Sequence, residues 1–283
     1  MAAFIKKHPF ISAIMLAGLI VLATFIAAFL NPGILFMEAG VRVGLCAVLV
    51  FFLYRWGLRG ALQFRLSTFM RGVLIGMPVF LFALWIAHNN AFGFPGIFKQ
   101  PVESNVPINA AFWDLCARVL MIGILEELTF RGLVLNTYIK HNGITRGTIY
   151  KAVLFSSLIF GIGHYANLVY GGSFLTTSID VYFACCMGMF LAAVYVKCMN
   201  IWVSAFLHTL WNFGNFLGLY GDNGTTVVEE AVELSFGQML GNTALNLIEP
   251  TIILLIGIFI LRNIHKEKYM DDINKTINGE VVK

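Results

Sequence analysis

Long apolar runs separated by short polar stretches repeat from one end of the chain to the other. Runs of about 17–25 mostly apolar residues are long enough to cross about 30 Å of hydrocarbon as helices. They fall near 9–30, 34–54, 72–88, 108–130, 152–166, 179–196, 201–219 and 239–262. The pattern predicts an all-α, polytopic transmembrane helix bundle of about eight spans, with the fifth short and the eighth polar in its first half. The first run is longer than the roughly 7–15 apolar residues of a signal-peptide core, so it reads as a retained span. Between spans 2 and 3, the leucines and phenylalanines at Leu58, Leu62, Phe64, Leu66 and Phe69 alternate with arginines. That stretch, 57–71, predicts an amphipathic helix lying in the membrane interface. No internal repeat or long linker divides the chain, which gives one membrane domain over 1–262 with a motif-bearing core at 108–219. The remainder, 263–283, reads as a polar, solvated cytoplasmic tail.

Composition supports this class. Of 283 residues, 59% are apolar and 12% charged, and mean hydropathy is +0.81, whereas soluble domains carry about 25% charged residues. The charge of +4 is distributed unevenly. Lys6 and Lys7, then Arg55, Arg59, Arg65 and Arg71, then Lys140, Arg146 and Lys151, then Lys197, then Arg262, Lys266 and Lys268 all fall on one side if eight spans are drawn. Positive loops face the cytoplasm, so both termini are expected inside. The opposite loops hold Lys99, Glu103, Asp222, Glu229, Glu230 and Glu233. Trp56 and Trp202 near the inner ends and Trp85 and Trp113 near the outer ends fit aromatic belts. The net charge follows from this bias and gives no sign of nucleic-acid binding. The five cysteines, Cys46, Cys116, Cys185, Cys186 and Cys198, are odd in number and lack C-x-x-C spacing. Neither a disulfide framework nor a zinc ribbon is expected.

Against this background the ionisable residues inside spans stand out, because each costs on the order of 2.5–3.5 kcal/mol to insert. Glu126, Glu127 and Arg131 lie in span 4, His164 ends span 5, and His208 and Asn212 lie in span 7. Counting at a rise of about 1.5 Å per residue from the inner ends puts Glu126, His164 and His208 all roughly 16–21 Å deep. Three helices have no reason to place ionisable groups at one depth unless those groups meet. Glu127 and Arg131 are four residues apart and can pair along one face, leaving Glu126 turned about 100° away. His208 and Asn212 project toward a common neighbour, and Phe160 can wall the His164 imidazole from lipid. A carboxylate, two imidazoles and an amide in a low-dielectric pocket suit hydrolysis, with proton transfer from water and donors for an oxyanion.

The ordered set Glu126-Glu127-x-x-x-Arg131, Phe160-x-x-x-His164 and His208-x-x-x-Asn212 resembles the motifs of the CPBP family, the CAAX proteases and bacteriocin-processing (Abi) enzymes. The resemblance covers about 108–219. It implies an intramembrane endopeptidase that cuts a membrane-associated or lipidated protein or peptide, in which Glu126 and His164 activate water and His208 and Asn212 form the oxyanion hole. Glu127, Arg131 and Phe160 would support the site. The family's abundance in bacteria implies a multi-pass protein of the bacterial inner membrane, its partners being the substrate peptide and the bilayer. The site is expected to open to the inner leaflet.

Other readings compete. Polar residues in spans also serve helix packing. Glu126, His164 and His208 are residue types that zinc accepts, although H-E-x-x-H is absent; the favoured mechanism uses no cofactor. A non-catalytic immunity or regulatory protein of the same fold, or a proton relay, would also hold buried Glu and His. Glu249, before Pro250, is expected to be structural.

Overall fold

The computed structural model describes residues 7–31, 33–92, 108–217, 236–262, 264 and 266–280. Lys6, Lys99, Glu103, Gly218, Asp222, Glu229, Glu230, Glu233 and His265 lie outside them. The described chain is helical, with α1 (Pro9–Phe29), α2 (Met37–Arg55), a 3-10 turn (Arg59–Leu62), α3 (Leu66–Ile75) and α4 (Met77–Phe92). Then come α5 (Ala110–Glu127), a π-helical segment (Leu128–Leu135), α6 (Asn136–Asn142) and α7 (Arg146–Gly163). A second 3-10 segment (His164–Tyr170), α8 (Phe174–Cys198), α9 (Ile201–Leu217), α10 (Phe236–Leu261) and α11 (Glu267–Ile277) complete it. Local chemistry sets several starts: the Asn109 side chain accepts from the Ala111 and Phe112 amides, Thr145 from Thr148, and Ser173 from Thr176. Each satisfies amides that the first helical turn leaves open.

Among the described residues four helices, α1, α2, α7 with its 3-10 extension, and α8, are long and apolar enough to cross a membrane, or five when α3 and α4 count as one bent span. The expected span 4 falls outside that set because Asp114, Arg118, Glu126 and Glu127 interrupt α5, and α9 is short at 17 residues. Span 3 is bent by 72° between Ile75 and Met77, where Gly76 ends α3 and Pro78, which has no N–H to donate, enters the first turn of α4. The core forms around α8, whose residues Phe190–Val196 are wholly buried between α7 and α10. Lipid-facing stripes run elsewhere, as with Met15, Leu19, Leu22 and Ile26 on α1, all exposed. Such a stripe is stable only where the solvent is apolar. The protein is an integral membrane protein.

The two ends of the bundle differ. At one end Lys140 Nζ donates to the Trp56 and Gly57 carbonyls (3.1 and 2.9 Å), Asn200 to Arg65 O (3.0 Å), Arg71 to Lys197 O (2.8 Å) and Trp202 Nε1 to Leu62 O (3.0 Å). The basic stretches thus converge on one face. At the other end Phe36 N donates to Asp114 (2.6 Å), and Glu38 pairs with Arg42 (3.0 Å) and Arg118 (3.6 Å).

Two expectations at the basic end are corrected. Residues 57–71 do not form one amphipathic helix: Gly57 takes a positive φ of 67°, Gln63 and Arg65 are extended, and the carbonyls of Leu62 and Arg65 bond to Trp202 and Asn200. Tertiary hydrogen bonds take the place of helical ones. The tail is not free either. In α11, Asp272, Ile273, Thr276 and Ile277 are buried, and the Thr276 carbonyl comes so near Gly60 that a Cβ there would lie 2.1 Å from its oxygen.

Candidate active site

Glu126 and Glu127 are the last two residues of α5 before the chain widens into the π-helical segment. π-turns are uncommon and concentrate at functional sites. Glu127 and Arg131 are both fully buried and pair at 2.6 Å. Arg131 also donates to the Gly188 carbonyl of α8 (2.9 Å), and its guanidinium stacks over the Phe160 ring at 5.0 Å. A buried charge needs such a set of partners to persist. Glu126 faces away from this pair, with 30% of its side chain exposed.

His208 joins the two glutamates. Its Nδ1 lies 3.0 Å from Glu127 Oε1 and its Nε2 3.4 Å from Glu126 Oε2. Glu127 already receives Arg131, so it acts as a carboxylate, and His208 donates Nδ1–H to it. Close approach of α5 and α9 makes this possible. A Cβ on Gly123 would lie 2.3 Å from Thr209 Oγ1 and 3.1 Å from the Ala205 carbonyl oxygen, so only glycine admits α9 this near. Small residues serve helix contacts in membranes in this way.

His164 sits where α7 ends. Its Nδ1 is 3.1 Å from the Phe160 carbonyl, and because a carbonyl can only accept, Nδ1 carries a proton and Nε2 is the nitrogen left outside that bond. The Phe160 ring meets His164 (5.0 Å between centroids), His208 (5.8 Å) and Phe130 (5.1 Å) edge-on. The α7–α8 contact behind it is again glycine-dependent, with Gly188 against Phe160 and Ser157.

Glu126 and His164 line one cavity of about 360 Å³, with Phe160, Thr129, Arg118 and Arg42 among its other walls. Beside Ile122 and Leu125 of α5 and Phe216 of α9, its remaining walls come from the second half of α1, the first turns of α2 and the end of α7 with the 3-10 segment after it. These are the ends remote from the basic face. The cavity therefore borders the end of the bundle remote from the arginine-rich turns.

The predicted residues Glu126, Glu127, Arg131, Phe160, His164 and His208 come together. Asn212 is one turn beyond His208 on α9, half-buried, and is not part of the cavity lining. Glu249 neither lines the cavity nor pairs with these groups. Glu126, His164 and His208, the alternative zinc ligands, do not form a group able to hold a metal ion, and no other such group occurs among the described residues. Sequence reasoning missed Gly123, three residues before Glu126, and the bridging role of His208. Gly123 carries a signal, being a glycine one turn from an ionisable residue within a span; the bridge depends on tertiary approach and has none.

Fold and site together define a helical membrane protein with a buried Glu–His–Glu centre bordering a cavity. Residues 108–214 match the family described as Rce1-like, type II CAAX prenyl endopeptidase Rce1-like. The site-bearing segment is thus similar to CAAX proteases of the CPBP type, a family of proteases. No curated protein and no solved structure matches the chain.

Proposed function

We propose that the protein is an intramembrane endopeptidase that hydrolyses a peptide bond of a membrane-associated protein or peptide. The observation that carries this reading is the sharing of one cavity by the Glu126 carboxylate and His164, with His208 3.4 Å from Glu126. A water between Glu126 and His164 Nε2 loses its proton to the carboxylate as its oxygen attacks the scissile carbonyl. The oxyanion hole is assigned to His208, whose Nε2 side faces Glu126, and to Asn212, one turn further along α9, which lies outside the cavity lining and completes the hole only with substrate bound. Protonated Glu126 then delivers its proton to the leaving amine. Glu127 fixes the His208 ring, and Arg131 holds Glu127. In this reading the Glu126 carboxylate, not a metal ion, takes the proton from water.

The chain is read as a protein of a bacterial inner membrane, as the family resemblance implies, with eight spans and both termini cytoplasmic, an orientation that the convergence of basic residues on one face supports. The cavity then lies in the extracytoplasmic half, so the substrate is a peptide segment exposed on that side, in keeping with the processing of secreted or resident membrane peptides.

The test uses the full chain in nanodiscs, incubated with detergent-solubilised host membrane proteins, followed by mapping of new protein N-termini. Wild type is expected to generate termini that Glu126→Gln and His164→Ala do not, with activity reduced about 10²–10⁴-fold. Identical termini from wild type and Glu126→Gln would defeat the proposal and turn attention to binding functions of the same fold.

A further inference from the structure

A second concavity lies at the basic end, remote from the Glu–His site and independent of it. It is a groove of about 610 Å³ between α10 and the α3–α4 bend, lined by Ile75, Pro78, Lys197, Ile252, Phe259 and Tyr269 among others. Ile252 and Phe259 are 53% and 69% exposed, so the groove opens on the surface that faces lipid.

Lys197, in the last turn of α8, is 5% exposed and pairs with no carboxylate among the described residues. Its ammonium lies 4.0 Å from the centroid of the Tyr269 ring, and Arg71 and Lys266 are near enough for their charges to act on it. Arg71 pairs with Asp272 at 3.7 Å. Three cations against one carboxylate leave an excess of two positive charges beside an apolar groove. A nearly buried ammonium without an anion is costly, and cationic pockets between helices at the cytoplasmic face recruit anionic headgroups. Among the lining residues only Lys197 and Tyr269 carry polar side-chain atoms, so an extended peptide here would leave its backbone unsatisfied in lipid. An acyl chain has no such requirement.

We propose that this groove binds one anionic phospholipid of the leaflet on the basic side. Lys197 and Lys266 hold its headgroup phosphate, and an acyl chain lies against Ile252, Ile256 and Phe259.

The test is thermal unfolding of the full chain in neutral detergent, titrated with phosphatidylglycerol, with phosphatidylcholine of the same acyl chains, and with inorganic phosphate. Phosphatidylglycerol is expected to raise the midpoint saturably, and the other two to have little effect. Lys266→Gln, an exposed position whose change leaves the fold intact, is expected to weaken the apparent affinity about fivefold, the factor that corresponds to about 1 kcal/mol per charge. Lys197→Gln is expected to weaken it at least as much, and Ile256→Trp to block it by filling the groove. Lys275→Gln on the far side of α11 serves as the unaffected control. Equal stabilisation by phosphatidylcholine, a response to phosphate alone, or undiminished affinity in both Lys266→Gln and Ile256→Trp would overturn the proposal.

Discussion

At the scale of single residues, the site is held by one buried carboxylate that serves two donors. Glu127 receives Arg131 at 2.6 Å and His208 at 3.0 Å, and removing either partner leaves charge stranded in a dry interior. Arg131→Met is therefore expected to destabilise by about 3–5 kcal/mol, read as a lowered unfolding midpoint in detergent. Glu127→Gln with Arg131→Met is expected to recover more than half of that loss, because glutamine is neutral yet still accepts from His208 Nδ1. No recovery in the double variant would mean that the Arg131 bond to Gly188 O, not the ion pair, carries the stability. The i,i+4 spacing made the Glu127–Arg131 pair legible in the sequence, and common depth made the meeting of Glu126 with the histidines legible. Which nitrogen of which histidine faces which carboxylate was not, since it depends on the distance between helices rather than on periodicity.

At the scale of elements, the α5–α9 contact decides that distance. Gly123→Ala would press a methyl group against Thr209 Oγ1 and the Ala205 carbonyl. A cost of about 1–3 kcal/mol is expected, together with a loss of proteolysis as His208 moves away from Glu126. Thr209→Ala is expected to restore part of both, since its hydroxyl is buried without a hydrogen-bond partner among the described residues and its removal sacrifices little. Full stability and activity in Gly123→Ala would show that the two helices have slack. The long apolar helices were legible from hydropathy. The 3-10 turn at Arg59–Leu62 and the docked helix α11 were not, because their polar sequences acquire structure only from partners more than a hundred residues away: Trp202 Nε1 donates to Leu62 O, and Arg71 pairs with Asp272.

For the whole molecule, the separation of a basic face from a cavity-bearing face makes a claim about sidedness. With the native cysteines replaced, Asn167→Cys beside the cavity is expected to react with a membrane-impermeant maleimide in intact cells. Lys268→Cys on α11 is expected to react only after permeabilisation. The reverse pattern would invert the topology and put the cavity on the cytoplasmic side. The membrane class and the one-sided charge were readable from composition and loop positions. Which end of the bundle the cavity borders was not, because counting residues gives the level of Glu126 along its helix and not which neighbouring helices leave space beside it.

The π-helical segment Leu128–Leu135 also sets a phase along what would otherwise be one rod from Ala110 to Asn142. Its loosened turn lets the Phe130 carbonyl accept from Ser156 (2.8 Å). Upstream, the rod aims its glutamates at α9; downstream, it aims Asn136 at the Tyr195 hydroxyl (2.7 Å) and Lys140 at the carbonyls after α2. Rewinding this segment as ordinary α-helix at unchanged length would swing everything beyond it by about 100°, so that only one of the two ends could still find its partners. One surplus residue allows a single helix to answer to two sets of neighbours that share no common angle.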